Sequence, residues 1–161
     1  WAYSTRWAGG THPKYSPVFR YAQYIIDGTN HWLTGYCDWN IVLDSIGGPN
    51  HVNNFAGAQV MIDYANDIIY YTPYYYVLKQ FSRSMRPGDV ALQVEYPQTM
   101  KTGADCETQD IFLCAVEKTD GSYAINILNM GEDTTMPVQL GSHYAMVNLP
   151  SASIQTIIVR L

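Results

Sequence analysis

Apolar positions first fall into register at Val18, Tyr21, Ala22 and Ile25, with Phe19 and Ile26 widening the stripe. That spacing predicts an amphipathic helix. Ser16-Pro17 precedes it as an N-cap followed by proline at the first helical position, and Gly28 suits its stop. Trp32 to Leu43 is apolar without clean alternation, which predicts a strand buried on both faces. Asp44 to Asn54 is rich in turn residues and predicts a loop. Ala58 to Ile62 predicts a short strand or extended segment. Thr72-Pro73 repeats the cap-plus-proline signal, and Tyr74, Val77, Leu78 and Phe81 mark one face of a second helix. Arg86-Pro87-Gly88 ends that helix.

After residue 88 the pattern changes. Asp89–Glu95, Ile111–Lys118, Tyr123–Asn129, Met136–Leu140, Tyr144–Leu149 and Ile154–Arg160 read as six short strands. Thr119-Asp120-Gly121 is a hairpin signal between two of them. Residues 88–161 therefore predict an antiparallel β-sandwich. Residues 1–87 are α/β, but a helix, one buried strand, a long loop and a second helix leave that strand without neighbours. The expectation is the last part of a larger (β/α)8 barrel, a fold of roughly 250 residues.

Composition narrows the class. The 161 residues are 47% hydrophobic and 14% charged, which suits a globular chain with a sizeable core and not a disordered one. Net charge is −5, and the nine lysines and arginines are scattered, so nucleic acid is not an expected partner. No apolar run approaches the roughly 20 residues that a membrane span needs. Three cysteines cannot all pair. Cys37 and Cys114 lie in apolar runs and read as buried free thiols, whereas Cys106 sits in a polar loop. No Cys/His spacing resembles a zinc site, and no metal or cofactor is implied. His31 and His143 have no acidic or nucleophilic partner in sequence reach. The first residue is Trp1, and no signal sequence precedes it, so a processed chain or a piece of a longer one is expected.

Chemistry concentrates in Trp32–Phe55, WLTGYCDWNIVLDSIGGPNHVNNF. Trp39 and Asn40 stand together, and a loop carrying Gly47, Gly48, Pro49 and three asparagines follows. An aromatic face beside amide groups suits sugar recognition: the C–H face of a pyranose packs on Trp, and hydroxyls pair with amides. The glycines are explained by the loop backbone alone. Fourteen tyrosines suit a carbohydrate surface, and equally suit a β-rich core.

TGYCDWNIVLD, then GGPNHVNNF, then AQVMID, then TPYYYVLKQFSRSMRPG resemble the C-terminal part of glycoside hydrolase family 30, in its glucosylceramidase branch. The order of elements agrees: last barrel helix, last barrel strand ending in D-W-N, G-G-P-N loop, closing helix, β-sandwich. The resemblance implies a retaining glycosidase on a (β/α)8 barrel, acting on β-glucosides such as glucosylceramide or, in sister branches, on β-linked glucan. It implies a secreted, periplasmic or lysosomal setting and a β-glucoside or glycolipid as partner. Retaining chemistry takes two carboxyl groups about 5 Å apart. In this family both are glutamates, at the ends of the fourth and seventh barrel strands. Here Glu95, Glu107, Glu117 and Glu132 all fall in the all-β part. By the resemblance, the catalytic glutamates belong to a missing N-terminal barrel portion of the same protein, and this chain alone has no catalytic residue.

Two positions carry over as substrate-binding. Trp39 matches the tryptophan that lines the sugar pocket, and Asn54 the asparagine that faces it from the following loop. Asp38 reads as a structural residue orienting Trp39 or the adjoining loop. Asn40 reads as a backbone-satisfying residue or a ligand contact. His51 stands near the proposed rim, and Trp1 and Trp7 are further aromatics that could reach it. The clusters Tyr70-Tyr71 and Tyr74-Tyr75-Tyr76 read as wedges between the closing helix and its neighbours. The alternative class is a non-catalytic carbohydrate-binding or partner-docking sandwich. It is weakened because all four tryptophans precede residue 40 and only Tyr96, Tyr123 and Tyr144 are available there.

Overall fold

A computed structural model describes residues 17–53, 55–96 and 110–161. The first helix, α1, runs over Pro17–Asn30; the expected cap at Ser16 lies outside the described residues. Tyr21, Ala22, Ile25 and Ile26 are buried, as the stripe predicts. Gly28 does not stop the helix. The end comes at Trp32, which takes the left-handed conformation (φ 68°) that usually selects glycine. The Leu33 N–H reaches back to the Gly28 carbonyl at 2.8 Å, and the Trp32 N–H to that of Thr29 at 3.4 Å. These two bonds close a Schellman cap. Gly28 serves packing instead: a Cβ there would meet Leu33 Cδ2 at 2.8 Å.

The strand expected over Trp32–Leu43 is a second correction. Only Val42–Asp44 forms a strand, β1, and of its residues Leu43 alone is buried. Trp32, Leu33, Tyr36, Ile41 and Val42 are exposed, as is Cys37, which was expected to be buried. Burial on both faces needs layers on both, and among the described residues β1 has one strand partner: β2 (Val60–Asp63), which it meets in parallel. The apolar run is therefore surface that the described residues leave open. A third strand, β3 (Ile68–Tyr71), pairs antiparallel with β2. It places Tyr70 and Tyr71 on a strand and not on the helix. Its signal was turn chemistry: Asp63 Oδ1 accepts from the N–H groups of Ala65 and Asn66, and Asp67 sits at φ 53°, closing a hairpin.

The second helix, α2 (Pro73–Ser84), buries Val77, Phe81 and Ser84, following the expected face. Thr72 precedes it, but its hydroxyl donates to the Ala58 carbonyl at 2.8 Å and does not cap. The side chain thus ties the helix start to the segment entering β2.

All six later strands form, as β4 (Val90–Leu92), β5 (Ile111–Glu117), β6 (Tyr123–Asn129), β7 (Thr134–Leu140), β8 (His143–Leu149) and β9 (Ser153–Val159). One antiparallel sheet has the order β4-β5-β6-β9, and β7 and β8 pair as a second. Between them pack Ile111, Ala115, Ile125, Ile127 and Leu149, with Met136, Val138 and Val147 beside them. The other face of the larger sheet offers Phe112, Cys114 and Leu128, which form one core with Tyr21, Ala22, Ile25, Ile26, Val77 and Phe81 from the helices. Helices lie on sheet and sheet on sheet. That is why β6 reads almost wholly buried instead of alternating. Asn126, fully buried on β6, accepts from Ser84 Oγ at 2.9 Å and Thr156 Oγ1 at 2.6 Å, which joins α2 to β9. Burial pushes the Cys114 thiol up to about 12, so it behaves as an inert apolar residue.

Asp89 locks the turn after α2 to the β5–β6 hairpin. Its carboxylate accepts from the Arg86 N–H at 2.8 Å, the Lys118 ammonium at 3.1 Å and the Thr119 N–H at 3.2 Å. Burial pushes this carboxyl up, but the three donors outweigh it and hold it below the ordinary carboxylate value. A depressed native pKa gives stability that is complete above the unfolded value and lost as pH falls through the native one. Asp89→Asn is therefore expected to be less stable than the parent at pH 7, with the gap closing below about pH 4. Urea unfolding of both proteins at pH 7 and pH 3 measures this; an equal gap at both contradicts it.

Candidate functional site

The segment between α1 and β1 has no strand ladder, so other groups must hold it. Asp38 does so from inside. Its Oδ2 accepts from the Tyr21 hydroxyl of α1 at 2.9 Å and from the Gln59 amide next to β2. Its Oδ1 accepts from the Trp39 N–H at 2.8 Å. Tyr21 meets Tyr36 and Tyr74 edge-on, with centroids 5.5 and 5.4 Å apart. Burial first, and then the Asp38 carboxylate, push the Tyr21 phenol well above its ordinary value, so it keeps its proton and donates. Burial and then Asp38 also raise Tyr36.

Above this anchor Trp39 is 77% exposed. A large aromatic held at its backbone and open on its ring is suited to stacking on a ligand. Asn40 is half-buried and His51 exposed. Asn54 lies outside the described residues, as do Trp1, Trp7 and Cys106.

The loop after β1 is a compact turn built on Asp44. Its Oδ1 accepts from the N–H groups of Ile46 at 3.0 Å and Gly48 at 2.7 Å, and its own N–H donates to the Gly48 carbonyl at 2.7 Å. Gly47 takes φ 92°, and the Gly48–Pro49 peptide is cis. A Cβ on Gly48 would lie 3.0 Å from Asp44 Oδ2. The glycines are explained by this backbone.

Tyr21 and Gln59 escaped the sequence reading. Tyr21 sits within the apolar stripe of α1 and looks like core, which its ring is. Gln59 gave a signal: a lone amide between Ala58 and Val60 in an apolar run implies a buried partner. Elsewhere, a groove of about 440 Å³ lies between α2 and β9, lined by Tyr76, Lys79, Gln80, Arg83, Ser84, Thr156 and Ile158; it shares no residue with the Trp39 region. Glu95, Glu117 and Glu132 are all exposed, and Glu107 is outside the described residues. No helix among the described residues is long and apolar enough to cross a membrane.

The family model for the glycosyl hydrolase family 30 TIM-barrel domain matches residues 10–85, and that for the family 30 β-sandwich domain matches residues 98–157. The chain belongs to glycoside hydrolase family 30. Among relatives of this family 30 chain is the lysosomal acid glucosylceramidase of Mus musculus, 31% identical over 116 residues, covering 71% of this chain and 20% of that protein. Two solved structures share the fold. SrfJ from Salmonella typhimurium has a TM-score of 0.76 at 24% identity, over 90% of this chain and 32% of that one. An endo-β1,6-glucanase has a TM-score of 0.71 at 23% identity, over 87% and 30%. The family 30 chain spans 20–26% of the length of the first curated relatives it matches.

Proposed function

We propose that this chain is the C-terminal part of a retaining β-glycosidase that hydrolyses β-glucosides, glucosylceramide or a related glycolipid first among them. In this reading the chain supplies one wall of the sugar site. Trp39 stacks on the C–H face of the pyranose, and Asn54 pairs with its hydroxyls. Asn40 and His51 are further candidate contacts in this reading. The nucleophile and the acid/base are glutamates contributed by an N-terminal barrel portion of the same protein. The observation that carries the reading is the exposed Trp39 ring on a backbone pinned by Asp38, in a chain of this family. A lysosomal or secreted setting goes with it, since the mouse relative is named lysosomal.

β-1,6-linked glucan is the competing substrate. The solved glucanase is 23% identical to this chain, which bears on fold alone, so side-by-side assays with glucosylceramide and a β-1,6-glucan decide. The non-catalytic sandwich reading gains little. Of its three tyrosines only Tyr144 is openly exposed, while the Tyr96 hydroxyl is occupied by the Leu113 backbone.

In the complete protein, Trp39→Ala is expected to weaken sugar binding by about 1–3 kcal/mol, the burial value of a large apolar side chain. Inhibition by a substrate-like sugar measures it directly. Unchanged binding would remove Trp39 from the site.

A further inference from the structure

We propose that Tyr21 is a positioning residue for the sugar site, linking the core shared with the β-sandwich to the Trp39 platform through Asp38. This rests on the reading of Trp39 as a sugar-stacking residue. Three observations carry it. The Tyr21 residue is only 8% exposed and belongs to the cluster containing Phe112, Leu128 and Phe81. Its hydroxyl leaves that core to donate to Asp38, while the Gln59 amide donates to the phenol oxygen at 3.4 Å. Asp38 in turn fixes the Trp39 N–H.

The Trp39 ring is mostly open, so side-chain packing cannot set its direction. The backbone from which the ring projects is held by Asp38, through the Trp39 N–H. One carboxylate oxygen receives donors from α1 and from the segment entering β2, and the other receives the platform's own N–H. The platform is thereby aligned at once to the helix layer and to the small sheet. Binding sites lose effectiveness when a contact group shifts by about 1 Å. The phenol is thus the place where sandwich packing is converted into the position of a sugar contact. The sandwich acts on the site without touching sugar.

The test uses the complete protein and steady-state turnover of an aryl β-glucoside. Tyr21→Phe keeps the ring in the core and deletes only the hydroxyl. It is expected to raise KM about three- to tenfold, the worth of one hydrogen bond, with kcat within about twofold. Ile26→Val trims the same core without reaching Asp38. It is expected to lower Tm comparably and to leave KM unchanged. An unchanged KM in Tyr21→Phe overturns the proposal, and so does an equal rise in Ile26→Val, which would make the effect one of core stability. Should Tyr21→Phe not fold, Gln59→Leu withdraws a donor from the same carboxylate and is judged by the same outcomes. Trp39→Ala separates the two claims. If it leaves KM unchanged, the sugar-platform reading fails and the proposal with it. If it raises KM while Tyr21→Phe does not, the reading stands and only the role of Tyr21 falls.

Discussion

Purified alone, this chain is expected to give no turnover of an aryl β-glucoside, while the complete protein turns it over. Retaining hydrolysis requires a nucleophile and an acid/base about 5 Å apart on either side of one bond. The carboxylates beside Trp39 in the chain are already committed. Asp38 accepts from Tyr21, Gln59 and the Trp39 N–H, and Asp44 holds the turn after β1. Glu95 follows β4, Glu117 ends β5 and Glu132 lies in the β6–β7 turn, away from any barrel strand end. Taking the lower end of enzymic accelerations, the two preparations should differ by about 10⁶-fold or more. A discontinuous release assay on equal molar amounts is sufficient. Measurable turnover by the purified chain would overturn the assignment of the catalytic groups to another part of the protein.

Phe81→Ala is expected to cost about 3–5 kcal/mol of stability. Phe81 is 2% exposed on α2 and belongs to the core that also holds Ile25, Val77, Phe112 and Leu128. Truncation removes the ring's transfer free energy and leaves a cavity between helix and sheet. Both flanking layers are hydrogen-bonded elements, so collapse is limited. Against a total stability of about 5–15 kcal/mol for a domain, this is a large fraction. Urea unfolding should show a lower midpoint at unchanged slope. Tyr76→Ala, on the same helix but 58% exposed, should stay within about 0.5 kcal/mol. Equal losses in the two variants would mean that α2 does not pack as described.

Legibility in the sequence followed how local the physics is. Both helices were readable because a stripe at helical spacing, with proline at its start, needs no other part of the chain. The sandwich strands were readable because turn residues bound short β-branched runs. Misreadings came where the local pattern does not show what a residue answers to. Gly28 looked like a stop and is a packing surface for Leu33. Trp32–Leu43 looked like a buried strand, and most of it is open segment. β3 was missed because four residues are too few to show a period.

The site divides in the same way. Trp39, Asp38 and the glycine turn stand out in the sequence, since an aromatic beside amides and a Gly-Gly-Pro break are local signals. The sequence determined which residues are candidates for recognition and which family the chain resembles. Only the tertiary structure decided what holds them. Tyr21 and Gln59 are 38 positions apart and meet at one carboxylate because α1 packs on the same sheet as α2, and the β2 segment returns beside it. Such a junction depends on the directions of three elements at once, and no periodicity along the chain encodes it.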